Sequence, residues 1–237
     1  MADIDIAQGT AFPATAATAE RIAAFLRAAY GWMAAGLAIT AGTAWFVASS
    51  PSLLLMIAQN RLLYFGLFIA QLGIVFYLSS RVQRLSASTA SLLFIGYSVL
   101  TGVTLSFVML VYTGQTLTST FVVTAGMFGS MALYGTVAKR SLAGWGQFLF
   151  MGLIGVVLAS VLGLFWHSNA LQFLISFAGV IVFTGLTAYD AQRLKALALA
   201  VPEGQSGSYA IAGALSLYLN FVNLFLSLLR LTGSRRD

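Results

Sequence analysis

From residue 85 to residue 138 the chain carries no charged side chain, and from 141 to 189 it carries none again. A soluble domain of this length has no core deep enough for such runs, whereas the hydrocarbon of a bilayer takes about 20 apolar residues per helical span. Each run is therefore expected to fold as two spans, the first pair hinged at "YTGQTLT" (112–118) and the second joined near "WHSNA" (166–170). The uncharged blocks 28–60 and 62–80 hold one span each, the former at about 28–48 ahead of a loop at "SSPS" around Pro51. A last uncharged run covers 204–229, after the polar connector "AQRLKALALAVPEGQSGS". The expected fold is an all-α integral membrane protein, a bundle of seven transmembrane helices.

Composition agrees: 59% of the residues are hydrophobic and 8% charged, against roughly 25% charged in a soluble domain. A membrane β-barrel would show alternating segments of about 10 residues instead. Cysteine is absent and His167 is the single histidine, which excludes disulfides, thiol catalysis and any multi-histidine metal site. The net charge of +6 comes from basic residues placed singly or in pairs beside apolar segments, so it reads as a topology signal and not as a nucleic-acid surface. Residues 1–20 lack the basic start of a secretory signal and are expected to be a short disordered tail. A single membrane domain over 21–233 and a basic tail at 234–237 complete the organisation.

With the N-terminus in the cytoplasm, Arg21 and Arg27, Arg81 and Arg84, Lys139 and Arg140, and Arg193 and Lys195 share one side, while the first three external loops hold only Arg61. That bias favours the N-in orientation. Arg230, Arg235 and Arg236 would then lie outside if the last segment spans, or inside if it is re-entrant; both arrangements stay open. Small residues at four-residue spacing, Gly155, Ala159 and Gly163 in the fifth span and Ala125 with Gly129 in the fourth, are expected to let helices approach closely.

At helical spacing the last segment places Tyr209, Gly213, Ser216, Asn220, Asn223, Ser227 and Arg230 on one stripe. Polar side chains at membrane depth need partners or water, so the stripe should face other helices and the C-terminal helix should be central. The sixth span ends in "TGLTAYDAQRLK" (184–195), with Thr184 and Thr187 on the side of Asp190. Two readings stand for Asp190: a carboxylate at the membrane boundary, solvated or paired with Arg193 one turn on, or a buried carboxylate whose protonation switches conformation.

"FTGLTAYDAQRLK" (183–195) followed by "LSLYLNFVNLFLSLLRLTG" (215–233) resembles the paired signature of the Bax inhibitor-1, or transmembrane Bax inhibitor motif, family. The likeness extends to "AQLGIVFYLSSRVQRLS" (70–86), "TAGMFGSMALYG" (124–135) and "FLFMGLIGVVLAS" (148–160). The resemblance implies a seven-helix bundle acting as a pH-sensitive calcium leak channel, with a role in suppressing cell death or stress responses. Its proposed sensor is a pair of aspartates. Asp190 matches the first; at the second this chain has Asn220. Two carboxylates sharing a site titrate as a coupled pair, whereas the Asn amide donates a hydrogen bond and does not titrate. A shifted or weaker pH response is therefore expected.

By the same resemblance Asp190, Asn220 and Asn223 line the sensor and ion pathway, Arg81 matches a latch arginine, and Arg230 matches one that pairs with an acid in the second span. Gln71 is the nearby polar residue here, so a hydrogen bond is expected in place of that ion pair. Asp190 is left as the one carboxylate for a weak calcium contact, since calcium prefers several oxygen ligands. The bilayer, calcium ions and another membrane protein are the candidate partners, and the bacterial plasma (inner) membrane is the expected location. The competing function is a regulator of other membrane proteins, such as a quality-control protease, binding through residues 1–20. An intramembrane protease fits poorly, because His167 sits at a predicted external end and only one intramembrane aspartate exists. No enzymatic activity and no cofactor are expected.

Overall fold

The computed structural model describes residues 16–166, 168–202 and 204–234. Among the described residues the regular elements are eight helices: α1 (Ala16–Ala48), α2 (Pro51–Gln59), α3 (Arg61–Arg81), α4 (Ala87–Val111), α5 (Gly114–Val137), α6 (Ala143–Phe165), α7 (Asn169–Ala200) and α8 (Ser206–Thr232). All except α2 are long and apolar enough to cross a membrane. The turns between them are set by local chemistry. Asn60, Ser86, Thr113 and Ser168 each stand just before a helix and accept a hydrogen bond from the backbone N–H three residues on, satisfying donors that the helix cannot.

Three expectations change, and one open alternative is narrowed. The last five residues of the supposed N-terminal tail, 16–20, are helical, because "AATAE" continues the helix-forming run of α1; residues 1–15, His167 and residues 235–237 lie outside the described residues. The loop around Pro51 is instead the start of α2, with the proline in its first turn, where its missing N–H costs nothing. Leu54 and Ile57 of α2 pack with Val47 as a separate small core.

The connector after Asp190 is mostly helix. "RLKALALA" is built of strong helix formers, so α7 runs on to Ala200 and stops at Val201, held extended ahead of Pro202. Asp190 is thus not at the end of its helix; the ten residues from 190 to 200 put it about 15 Å inside. Finally, α8 is one unbroken helix of 27 residues, about 40 Å long. It is long and apolar enough to cross a membrane, as the spanning alternative requires.

The C-terminal helix is central. It packs against α1, α3, α4, α5 and α7, while α6 lies outside against α7. Most of its residues are buried, Tyr218, Leu217, Ala214 and Leu224 completely. Tyr218 ties three helices together: its hydroxyl shares a 2.6 Å hydrogen bond with Thr40 of α1, which donates to the Ser98 carbonyl of α4. The rings of Phe94 and Tyr97 meet Tyr218 edge-on. Hydroxyls elsewhere mostly donate to their own helix, as Ser98, Thr101, Thr124 and Ser176 do, which satisfies them without a neighbouring helix.

The small residues are used differently from the expectation. Of the expected positions Gly163 meets Ile175 of α7 in ordinary contact, whereas Gly155 and Gly129 face open space, and α6 approaches α7 more closely through Gly146 and Gly152, against Tyr189 and Val182. The four-residue spacing marks small positions, but only packing selects which of them touch a helix.

Candidate functional site

Asp190 is 7% exposed and meets α8 through one oxygen. Ser216 donates to Oδ2 at 2.7 Å, and the Asn220 amide donates to the same atom at 2.8 Å. Both donors come from the polar stripe of α8, four residues apart, so they sit one above the other on the face turned to α7. The second carboxylate oxygen receives no hydrogen bond from the described residues.

The stripe continues on either side of this contact. Toward the α7–α8 turn, Asp190, Ser216, Gly213 and Tyr209 line a cavity of about 210 Å³ together with Ser79 of α3 and Arg193. In the other direction Asn223, Ser227 and Arg230 line a second cavity of about 430 Å³, closed by Phe68 of α3, by α6 and by Phe183 of α7. Asp190 and Ser216 thus belong to the wall of the first cavity, and Asn220, which lines neither cavity, stands between the two along α8. A polar seam interrupted by a lock is the resulting arrangement.

Several expected roles fall differently. Thr184 and Thr187 do not reach Asp190: Thr187 donates to the Phe183 carbonyl, and the buried Thr184 hydroxyl has no partner. Their spacing is right for the face, but a threonine hydroxyl is short and binds its own helix first. Arg193 lines the first cavity but is exposed and makes no ion pair with Asp190 among the described residues.

Gln71 does not pair with Arg230. Its amide donates to the Leu100 carbonyl and to Thr104, both on α4, because α3 leans on α4 far more than on α8. Arg230 is exposed at the second cavity. Arg81 is exposed at the end of α3, where its carbonyl accepts from the Arg84 and Leu85 N–H groups while its guanidinium forms no hydrogen bond or ion pair among the described residues; its neighbours Ser79 and Val82, not Arg81, line the first cavity. Asn223 donates to the Leu219 carbonyl of its own helix while bordering the second cavity. No three His, Cys, Asp or Glu side chains come together among the described residues.

Sequence reasoning missed the other half of "YDAQRLK". Gln192 accepts from the backbone N–H of Leu142 at 2.7 Å and donates to the Arg140 carbonyl at 2.9 Å. Lys195 donates to the Thr136 carbonyl in the last turn of α5 at 2.9 Å, where a cation also meets the negative end of the helix dipole. Arg21 donates to the Val201 carbonyl at 2.5 Å. One turn of α7 therefore carries Asp190 toward α8 and a brace toward the α5–α6 loop. Replacing Gln192 with Leu is expected to leave the Leu142 N–H and Arg140 carbonyl unpaired, at a cost of about 1–3 kcal/mol. Limited trypsin digestion would read this as several-fold faster cleavage after the exposed Lys139 and Arg140; an unchanged rate would show that the brace is dispensable.

Comparison with known proteins matches residues 22–237 to the family model described as inhibitor of apoptosis-promoting Bax1. Among relatives, the inner membrane protein YbhL of Escherichia coli K12 is 49% identical over 215 residues, covering 90% of this chain and 92% of the relative. An uncharacterized protein of Deinococcus radiodurans is 44% identical over 219 residues, 92% and 94% of the two chains. The Rickettsia prowazekii protein RP147, also uncharacterized, is 38% identical over 221 residues, 92% of each chain.

Proposed function

We propose, from the premise that this chain belongs to the Bax inhibitor-1 family, that it is a proton-sensitive cation leak of a bacterial inner membrane. Asp190 is its sensor, and Ser216 and Asn220 are the donors that lock it. The observation that carries the reading is the pair of bonds on Asp190 Oδ2, at the wall of the first of two cavities that the same helix face lines. Calcium is the cargo the resemblance suggests. The N-in orientation and the inner-membrane location rest on the basic-residue bias and on the printed name of the E. coli relative. No catalytic step forms part of the proposal.

The mechanism follows from hydrogen-bond strength. An ionised carboxylate accepts from Ser216 and Asn220 in charge-assisted bonds, which are roughly twice as strong as neutral ones. Protonation weakens both at once and releases α7 from α8 along the seam. Flux is accordingly expected to rise as the pH falls. Arg193 at the first cavity adds positive charge to its mouth, which slows cations there and suits a leak more than a fast channel.

The test is flux of calcium, potassium and sodium into vesicles reconstituted with the full chain, across the acidic to neutral range. Flux that does not exceed protein-free vesicles for any of these ions overturns the proposal. The Asn220→Asp variant places two carboxyls on one site, which then titrate as a coupled pair. Its pH profile is expected to shift away from that of the native chain; superimposable profiles would remove Asn220 from the lock.

A further inference from the structure

We infer that the lateral cleft between α1, α4 and α5 is a binding site for one acyl chain of a membrane phospholipid. Helix α5 packs along α7 and α8, and its close contacts with α1 and α4 are few. The gap is a cavity of about 330 Å³, walled by Ala41, Leu105, Leu117 and Phe121 and floored by Phe225 and Phe221 of α8. Phe221 meets Phe121 edge-on, 5.4 Å between ring centres, so the floor is held by the helix that carries the lock.

The lining is nearly all carbon, and its two hydroxyls are already occupied. Thr40 donates to the Ser98 carbonyl and shares a bond with Tyr218, and Thr118 donates to the Gly114 carbonyl. The buried side-chain atoms without a partner among the described residues are the Tyr30 and Thr184 hydroxyls, and neither residue lines this cleft. Water needs two to four polar partners in a cavity, and here it would find at most the spare lone pairs of two threonine oxygens. An empty cleft would forfeit dispersion contacts along every wall.

What bathes the opening decides the occupant. The four helices around the cleft are all membrane spans. Leu105 of α4 lies six residues before the helix end at Val111, about 9 Å along the axis. The cleft therefore opens within the hydrocarbon layer, beneath the α4–α5 turn, on a single leaflet. Its volume is at the small end of sites for a small apolar ligand, enough for a chain and too small for a whole lipid. The bilayer supplies that chain with its headgroup level with the turn. This site is separate from the polar seam and does not depend on ion conduction.

The experiment uses the full chain in vesicles containing phosphatidylglycerol with a diazirine in one acyl chain. The protein is extracted, washed in detergent, irradiated, and mapped by peptide mass spectrometry. Label per residue at Ala41, Leu117 and Phe225 is expected to be several-fold above that at the outer face of α6, at Phe148, Met151 and Ile154, which are at least as open to lipid. Ala41→Phe should abolish the cleft label and leave the α6 label. Equal labelling of cleft and α6, or labelling indifferent to Ala41→Phe, overturns the site.

Because the chain has no cysteine, Val108→Cys is a unique probe that does not depend on the folding of Ala41→Phe. It is expected to resist a charged maleimide and to form no disulfide between copies. Reaction with the maleimide would mean a water-filled cleft, and disulfide-linked dimers would mean that a second copy fills it; either result overturns the proposal.

Discussion

Replacing Asp190 with Asn is expected to abolish the pH dependence of flux and to fix it at or above the acidic level of the native chain. The amide keeps the size of the carboxyl and still accepts from Ser216 and Asn220, which lie 2.7 and 2.8 Å from Oδ2 in the native chain. What it loses is the charge, worth about 1 kcal/mol for each of the two bonds. Together they change the closed-to-open ratio by roughly thirtyfold. Vesicle flux at a series of pH values checks this. A profile that still varies with pH in Asp190→Asn would place the sensor elsewhere.

Gly135→Ala is expected to destabilise the bundle by about 3 kcal/mol or more, at the upper end of overpacking costs. A methyl group there would run into the Ala188 backbone carbonyl of α7, and a carbonyl held in a helix has no rotamer with which to move away. The contact lies two residues from Asp190 and one residue before Thr136, whose carbonyl accepts from Lys195. Misfit at Gly135 would therefore loosen the lock's helix from α5 as well. Gly129→Ala on the same helix is the control: nothing lies within 4 Å of its added carbon, so it should be neutral or stabilising, by up to about 1 kcal/mol from helix propensity. Thermal unfolding of both variants in detergent compares them, and equal midpoints would contradict the close approach of α5 and α7.

Much of the site is legible because α8 obeys one periodicity. Asn220 and Ser216 share a stripe at a spacing that only a helix makes contiguous, and a polar stripe in an apolar span has to face protein or water. The central place of α8 follows from the same argument. What spacing left undetermined was which acceptor those donors reach. Thr184 and Thr187 had equal claims on Asp190 by position, yet Thr187 turned to its own backbone, and Ser216 took the carboxylate from across the helix interface. The Arg230–Gln71 pairing failed for a related reason, since α3 rests on α4 and presents Gln71 there.

The run lengths and the absence of cysteine determined by themselves that the chain is a helical membrane bundle without disulfides, and the apolar run before Asp190 that this acid needs a partner or water. These are properties of solvation: an apolar run must find hydrocarbon, and an acid within it must find donors, in any arrangement of the helices. Only the tertiary structure decided that α7 continues about 15 Å beyond Asp190, that Gln192 and Lys195 brace the α5–α6 loop, and that α5 makes few close contacts with α1 and α4. Those outcomes depend on which surfaces meet, and that choice is made by complementary shape across helices distant in the chain, such as a glycine that admits a carbonyl or a phenylalanine that floors a cleft.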